Sequence, residues 1–418
     1  MAAFETSKAA EKVNNTGGTG FGPLACPTGT ETTDLRSWSM LTAILAVRLD
    51  DKRSAEVDRA LCDPDIFAAV VKAAERENVL PALHPALVGR FDRTAKMWRA
   101  VAARAYSDNR ERNLRIRRTA LELGEAAAAS HIRLVALKGA SWVLEDQSDH
   151  AAWRWLIDCD VLVEAGHFAK MPALLRGLGY EPASQSKRCR NNFHHAPYWR
   201  ANTLIPIEVH RHLGWRHELL APEIVFANAR PIANGMLTPS PWCRALHAMI
   251  HWQIQDLGLS RSTVPLKELL EVARFLARDD VDWIKLAAHA RRVGCIRACE
   301  AAVGLAAELL DAPIPEALRP GKSAERHAGR ALVRRASPLR TWLATEMWRA
   351  CTLWRCEKVA YRLALRGSPV PLTRIAVWAA RIVRLPILML RAVVILARGA
   401  RLLRSRAEQP QSALPKRI

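Results

Sequence analysis

The chain has 418 residues, half of them hydrophobic, with 62 Lys and Arg against 41 Asp and Glu for a formal net charge of +21. That length and apolar content support two or three packed domains and exclude both a wholly disordered chain and a small disulfide-held scaffold. Nine cysteines, an odd number without any Cys-x-x-Cys pair, predict no zinc or disulfide framework and fit a reducing cytoplasm.

Met1-Ala2-Ala3-Phe4-Glu5 carries no basic region followed by an apolar core, so no secretory signal is expected, and residues 1–37, rich in Gly, Thr, Asn and Pro, read as a disordered leader. Residues 38–130 show apolar residues at helical spacing, as in Ile66-Phe67-Ala68-Ala69-Val70-Val71, and predict a helical region. The next segment, 131–235, changes character. His131 to Leu137 reads as an apolar strand ending in Lys138-Gly139 and running into a helix-compatible stretch with Ser141. Such a strand, glycine and helix start bring free N–H groups and a lysine charge to a phosphate. Arg154 adds a second cation that could face phosphate oxygens or pair with nearby aspartates.

Ile157-Asp158-Cys159-Asp160-Val161-Leu162-Val163 reads as a strand in which Asp158 and Asp160 share one face and Cys159 points to the other. Pro206-Ile207-Glu208-Val209-His210 places Glu208 and His210 on one face in the same way. Carboxylates two apart on an apolar strand are costly to bury unless a cation neutralises them, and Mg²⁺, with Mn²⁺ as substitute, is the hard ion that such oxygens hold. Between the two strands, the polar loop Arg188 to His195 could line an acceptor side, with His195 and His210 as candidate contacts.

Residues 236–320 again predict helices. His247 and His251 stand one turn apart, a spacing that can ligate zinc, but no glutamate follows His247 and a polar contact with the sheet is the plainer expectation. From Gly321 onward 21 Lys and Arg face 4 Asp and Glu, so the region 321–418 carries +17 of the +21. Within it, residues 371–405 interleave Arg374, Arg381, Arg391 and Arg398 with Ile, Val and Leu near one helical face, and Pro386 divides two helices. So many arginines oppose a transmembrane span and favour amphipathic helices on an anionic membrane surface, or packed on the protein's own core; nucleic acid is the weaker match.

Leu137-Lys138-Gly139, Arg154 through Asp158-Cys159-Asp160-Val161-Leu162-Val163, Leu178-Gly179-Tyr180 and Ile207-Glu208-Val209-His210, in this order, resemble the uncharacterised bacterial nucleotidyltransferase family of the DNA polymerase β-like superfamily. The resemblance covers residues from about 40 to about 320 and extends through Pro265 to Arg274 and Val281-Asp282-Trp283. It implies an α+β fold, a polymerase β-like mixed sheet with helical N-terminal and C-terminal regions. It also implies catalytic metals on Asp158, Asp160 and Glu208, a nucleoside triphosphate near Lys138, Gly139, Ser141 and Arg154, and nucleotidyl transfer to an acceptor hydroxyl. Two departures stand out: Ala140 follows Gly139 where the superfamily has Gly or Ser, and the third carboxylate is Glu instead of Asp.

A D-x-D glycosyltransferase would need alternating strands and helices before the aspartates, where this chain predicts helices alone. A noncatalytic binding or regulatory protein that keeps the fold and docks to membrane or a partner through its basic tail is the alternative. The expected place is cytoplasmic, with peripheral attachment to the inner face of the membrane as an option.

Overall fold

A computed structural model describes residues 31–335, apart from 91, 93, 146–148, 184–193, 202, 204 and 215. Most of the expected leader, most of the loop before Glu208 and the segment 371–405, expected to lie on a membrane surface, therefore lie outside the described residues.

The first helix, Glu31–Leu45, begins inside the stretch expected to be a leader, because Trp38, Leu41, Ile44 and Leu45 supply a helical stripe that is buried. Helix Pro64–Arg76 shows how local signals set the boundaries. Asp63 caps it by accepting from the Asp65 and Ile66 amides, proline occupies its first position, and Phe67, Val70, Val71 and Ala74 are buried. Helices Asp51–Leu61 and Leu80–Leu87 complete this end, and the long helix Lys96–Ala129 runs from it to the sheet.

The sheet has seven strands in the order β3-β4-β5-β2-β1-β7-β6. They are β1 Leu134–Ala136, β2 Cys159–Val163, β3 Glu181–Pro182, β4 Tyr198–Trp199, β5 Ile207–His210, β6 Ala229–Ala233 and β7 Met236–Pro239. β2 runs antiparallel to β1 and parallel to β5, and β1 runs parallel to β7, so the sheet is mixed, as the α+β expectation requires. The sheet does not stop at residue 235: β7, which follows a tight turn through Asn234 and Gly235, inserts beside β1. Both turn residues have positive φ, the condition for such a hairpin turn.

Side-chain alternation sends the two faces of β2 into different surroundings. Cys159, Val161 and Val163 join Ile207 and Val209 in a core against the long helix, whereas Leu162 faces a larger core. That larger core includes Leu41, Val70, Val135, Leu246, Leu270 and Val303. The segments 38–130, 131–235 and 236–320 thus share a continuous interior, in which helices Pro241–Ile250, Leu266–Leu276, Trp283–Arg292 and Ile296–Leu310 pack on one another. Helix Lys322–Arg335 opens the basic extension and buries Ala324, Ala328 and Ala331. Among the described residues no helix is long and apolar enough to cross a membrane.

Candidate functional site

The register of the two central parallel strands sets Asp160 directly beside Glu208 and Leu162 beside His210. Because residues in register on neighbouring strands point the same way, two carboxylates emerge together from the sheet, with His210 on the same face. Asp160 is almost fully buried, Glu208 is about a quarter exposed, and Asp158, one residue ahead of β2, is half-buried.

Lys138 reaches the same point from the other side of β2. The Leu137 amide donates to the Asp160 carbonyl at 2.9 Å, tying the end of β1 to β2, and the chain then turns sharply at Lys138, whose φ is +44°. That left-handed backbone costs a non-glycine residue about 1–3 kcal/mol. It sets Lys138 at the start of helix Lys138–Glu145, with its Nζ donating to Asp160 Oδ1 at 3.0 Å. His210 Nε2 donates to the same oxygen at 2.7 Å.

Charge is not balanced here. Burial opposes ionisation of Asp160, but Lys138 and His210 outweigh it and hold this carboxyl far below the usual range. Burial and the negative charge of Asp160 push Asp158 up to about 6 and Glu208 up to about 8. Burial disfavours the Lys138 ammonium, yet Asp160, Asp158 and Glu208 together hold it above its ordinary value. Burial lowers His210 to about 4, so it stands neutral beside Asp160. Ligand atoms of Asp160, Glu208 and His210 lie within 4.8 Å of one another, a spacing that a single cation can bridge. Asp158 lies outside that trio, although it interacts electrostatically with Asp160 and Lys138.

The other expected residues are used differently. At Gly139 a Cβ would stand 2.0 Å from Leu156 Cδ2, so the glycine lets the helix sit against the loop leading to β2. The Ser141 hydroxyl donates to the Lys138 carbonyl at 2.7 Å and is buried within the helix. Arg154 makes no hydrogen bond to the aspartates, although its charge lowers the Asp158 carboxyl. It is buried, and its Nη2 donates to Glu271 Oε2 at 2.5 Å, while Trp142 Nε1 donates to Glu271 Oε1 at 2.8 Å. His195 stacks flat on Phe168 at 3.9 Å and meets the Phe168 carbonyl through Nε2, whereas its neighbour His194 lies beside His210, ring centroids 5.3 Å apart. His210 contacts Asp160 more closely than Glu208, which is 3.7 Å away.

Several residues that hold the site have no obvious mark in the sequence. Asn109 and Asn113, one turn apart on the buried face of the long helix, both donate to the Arg154 carbonyl, and also to those of Ala152 and Ala151. They fix the loop that delivers Asp158. A polar pair at helical spacing on an otherwise apolar face is the signal that could have found them. Lys267, from helix Leu266–Leu276, lowers the Asp158 carboxyl against the effect of burial and Asp160. His247 is buried with its Nε2 unpartnered, and it interacts with His251, Lys138, Asp160 and His210. Its helix passes into a π-helical turn at His251–Gln255, and His251 pairs with Asp256 at 3.1 Å. No zinc-type group includes His247 and His251 among the described residues.

A family profile described as "Uncharacterised nucleotidyltransferase" matches residues 65–311, more than half of the chain and the whole of the sheet with its flanking helices. No curated protein and no solved structure gives a significant match. With this extent of match, and with a mixed sheet that gathers Asp160, Glu208 and Lys138 at one point, the chain belongs to that uncharacterised nucleotidyltransferase family.

Proposed function

We propose that the protein moves a nucleoside monophosphate from a nucleoside triphosphate to a hydroxyl-bearing acceptor, in the manner of the polymerase β-like superfamily, with Mg²⁺ or Mn²⁺ held by Asp158, Asp160 and Glu208. The observation that carries this reading is the parallel register of Asp160 with Glu208, closed by the Lys138 ammonium on Asp160. The donor set suits a divalent cation: hard oxygens dominate it, and burial together with the charge of Asp160 raises the Asp158 and Glu208 carboxyls, a cost that a bound cation would offset. A cation bound there supplies charge against the phosphates and lowers the pKa of a hydroxyl in contact with it.

The residues of the chain then divide the remaining work. Lys138, whose side chain is about a quarter exposed, can pass from Asp160 to a phosphate oxygen without leaving the site. His210 retains Asp160 in place when Lys138 moves. Glu208, the more open of the two strand carboxylates, is suited to take the acceptor proton, since a carboxylate with a raised pKa is a stronger base once ionised. Arg154 acts as a positioning residue through Glu271, anchoring the loop ahead of Asp158.

Thermal unfolding of the wild type and of the double variant Asp158→Ala/Asp160→Ala, each with Mg²⁺ and each of the four nucleoside triphosphates, tests this directly. Stabilisation in the wild type alone supports the reading and names the base; equal behaviour of the two proteins overturns the site. Binding without release of pyrophosphate would favour the noncatalytic alternative. The proposed membrane contact is tested separately: deletion of residues 371–418 should reduce sedimentation with anionic vesicles and leave nucleotide binding intact, and unchanged sedimentation removes that contact.

A further inference from the structure

Two helices meet beside the carboxylate set, and their side-chain contacts fix how they run. Glu145, at the end of helix Lys138–Glu145, lies 3.8 Å from Arg278, just beyond the end of helix Leu266–Leu276. One turn back, Trp142 donates to Glu271, and its ring lies 4.9 Å from that of Phe275. The contacts step along both helices in the same sense, so the N-terminal end of Leu266–Leu276 lies toward Lys138. Lys267 stands one turn before Glu271 on the same face of its helix. Glu271 in turn meets Arg154 at 2.5 Å, four residues ahead of Asp158. The half-buried Lys267 is therefore carried to the Asp158 side of the site, where its charge acts on Asp158 and meets that of Arg154.

What is offered there is a side chain and not a helix end, because the Leu266 amide already donates to Glu77 Oε2 at 3.1 Å. Burial and the Arg154 guanidinium both oppose the Lys267 charge, an arrangement that an arriving polyanion relieves. An ammonium on a flexible stem suits phosphate as a point charge. Its side of the site matters as well. Lys267 acts on Asp158, whereas the charges that act on Glu208 are those of Asp160, Lys138 and Asp158. Glu208 faces the acceptor in the reading above, so Lys267 stands on the side of the leaving phosphates. We infer that Lys267 binds the β- and γ-phosphates of a nucleoside triphosphate, as a second cation beside Lys138 that reaches the site from the helical half of the molecule. This role rests on the nucleotidyltransferase reading, and it gives Lys267 the part expected of Arg154.

Calorimetric titration of the full-length protein with each of the four nucleoside triphosphates in Mg²⁺, and electron paramagnetic resonance titration with Mn²⁺ alone, test this on the wild type, Lys267→Gln and Lys267→Met. Both variants remove the charge and keep a long side chain. At least one triphosphate should bind the wild type, and the variants should bind it about tenfold or more weakly, as loss of a charge-assisted contact requires. Their Mn²⁺ affinity should equal or exceed that of the wild type, because a cation beside Asp158 has gone. A lysine that merely holds Asp158 in place would lose Mn²⁺ and triphosphate together. That result overturns the inference, as does unchanged triphosphate binding in either variant, and in both cases the nucleotidyltransferase reading stands. A wild type that binds no triphosphate overturns the reading itself, and the inference with it.

Discussion

Two charged clusters lie on either side of helix Lys138–Glu145, and they are built on opposite principles. At its C-terminal end Glu145 is surrounded by Arg230, Arg244 and Arg278, and nearby the buried Glu271 is matched by Arg154 and an indole N–H. Every acid there has a cation. At the N-terminal end Asp158, Asp160 and Glu208 all act on Lys138, and burial together with the charge of Asp160 still pushes Asp158 and Glu208 up. The first arrangement joins helices to the sheet and leaves no acid without a cation. The second leaves an acid excess in a partly buried place, an arrangement that a cation would complete.

Breaking the balanced cluster should have the largest effect on folding. Glu271→Ala leaves the Arg154 guanidinium buried without its partner and should cost about 3–5 kcal/mol, the range for removing one member of a buried pair. Urea denaturation checks this, and the loss should be the same with and without Mg²⁺. In the unbalanced cluster the effect falls on ligand binding instead. Asp158→Ala/Asp160→Ala should abolish the stabilisation that saturating nucleotide gives, about 2.7 kcal/mol at a hundred times Kd, while the ligand-free protein stays folded.

A smaller effect is expected at Gly139. Gly139→Ala forces a methyl group against the buried Leu156 and should cost about 1–3 kcal/mol by overpacking. A second change, Leu156→Ala, should recover part of that loss; if the single variant is as stable as the wild type, the close approach is not what the glycine serves. The mildest test is pH. Protons compete with a cation for Asp158 and Glu208, whose carboxyls stand near 6 and 8, so Mn²⁺ affinity should rise between about pH 6 and 8 and level off above. Affinity that falls over this interval would exclude these carboxylates as ligands. The balanced cluster predicts no comparable change, because Glu145 is held below its usual value by Arg244 and Arg230.

The strands that carry the site were legible because their pattern is local. Alternation alone places Cys159 and Asp160 on opposite faces, and the structure puts Cys159 in the core beneath and Asp160 in the cluster above. Lys138 at the end of an apolar strand reads as a phosphate-facing cation, and its pairing with Asp160 is a contact that only the fold supplies. The role of Arg154 was not legible. Its partner Glu271 is 117 residues away, and nothing within its own segment distinguishes a phosphate-facing arginine from one that ties a loop to a distant helix. The close approach of Gly139 to Leu156 was not legible either, since what a missing Cβ makes room for depends on what packs there.

The sequence by itself determined the family, the α+β class and the order Lys138, Asp158, Asp160, Glu208 and His210, because strand period, helix period and short-range spacing are properties of neighbouring residues. Only the tertiary structure decided that Glu208 stands beside Asp160, that His194 and not His195 approaches His210, and that Lys267 comes near Asp158. Each of those is a contact between segments far apart in the chain, and its energy comes from burial and charge that exist only after the segments have packed.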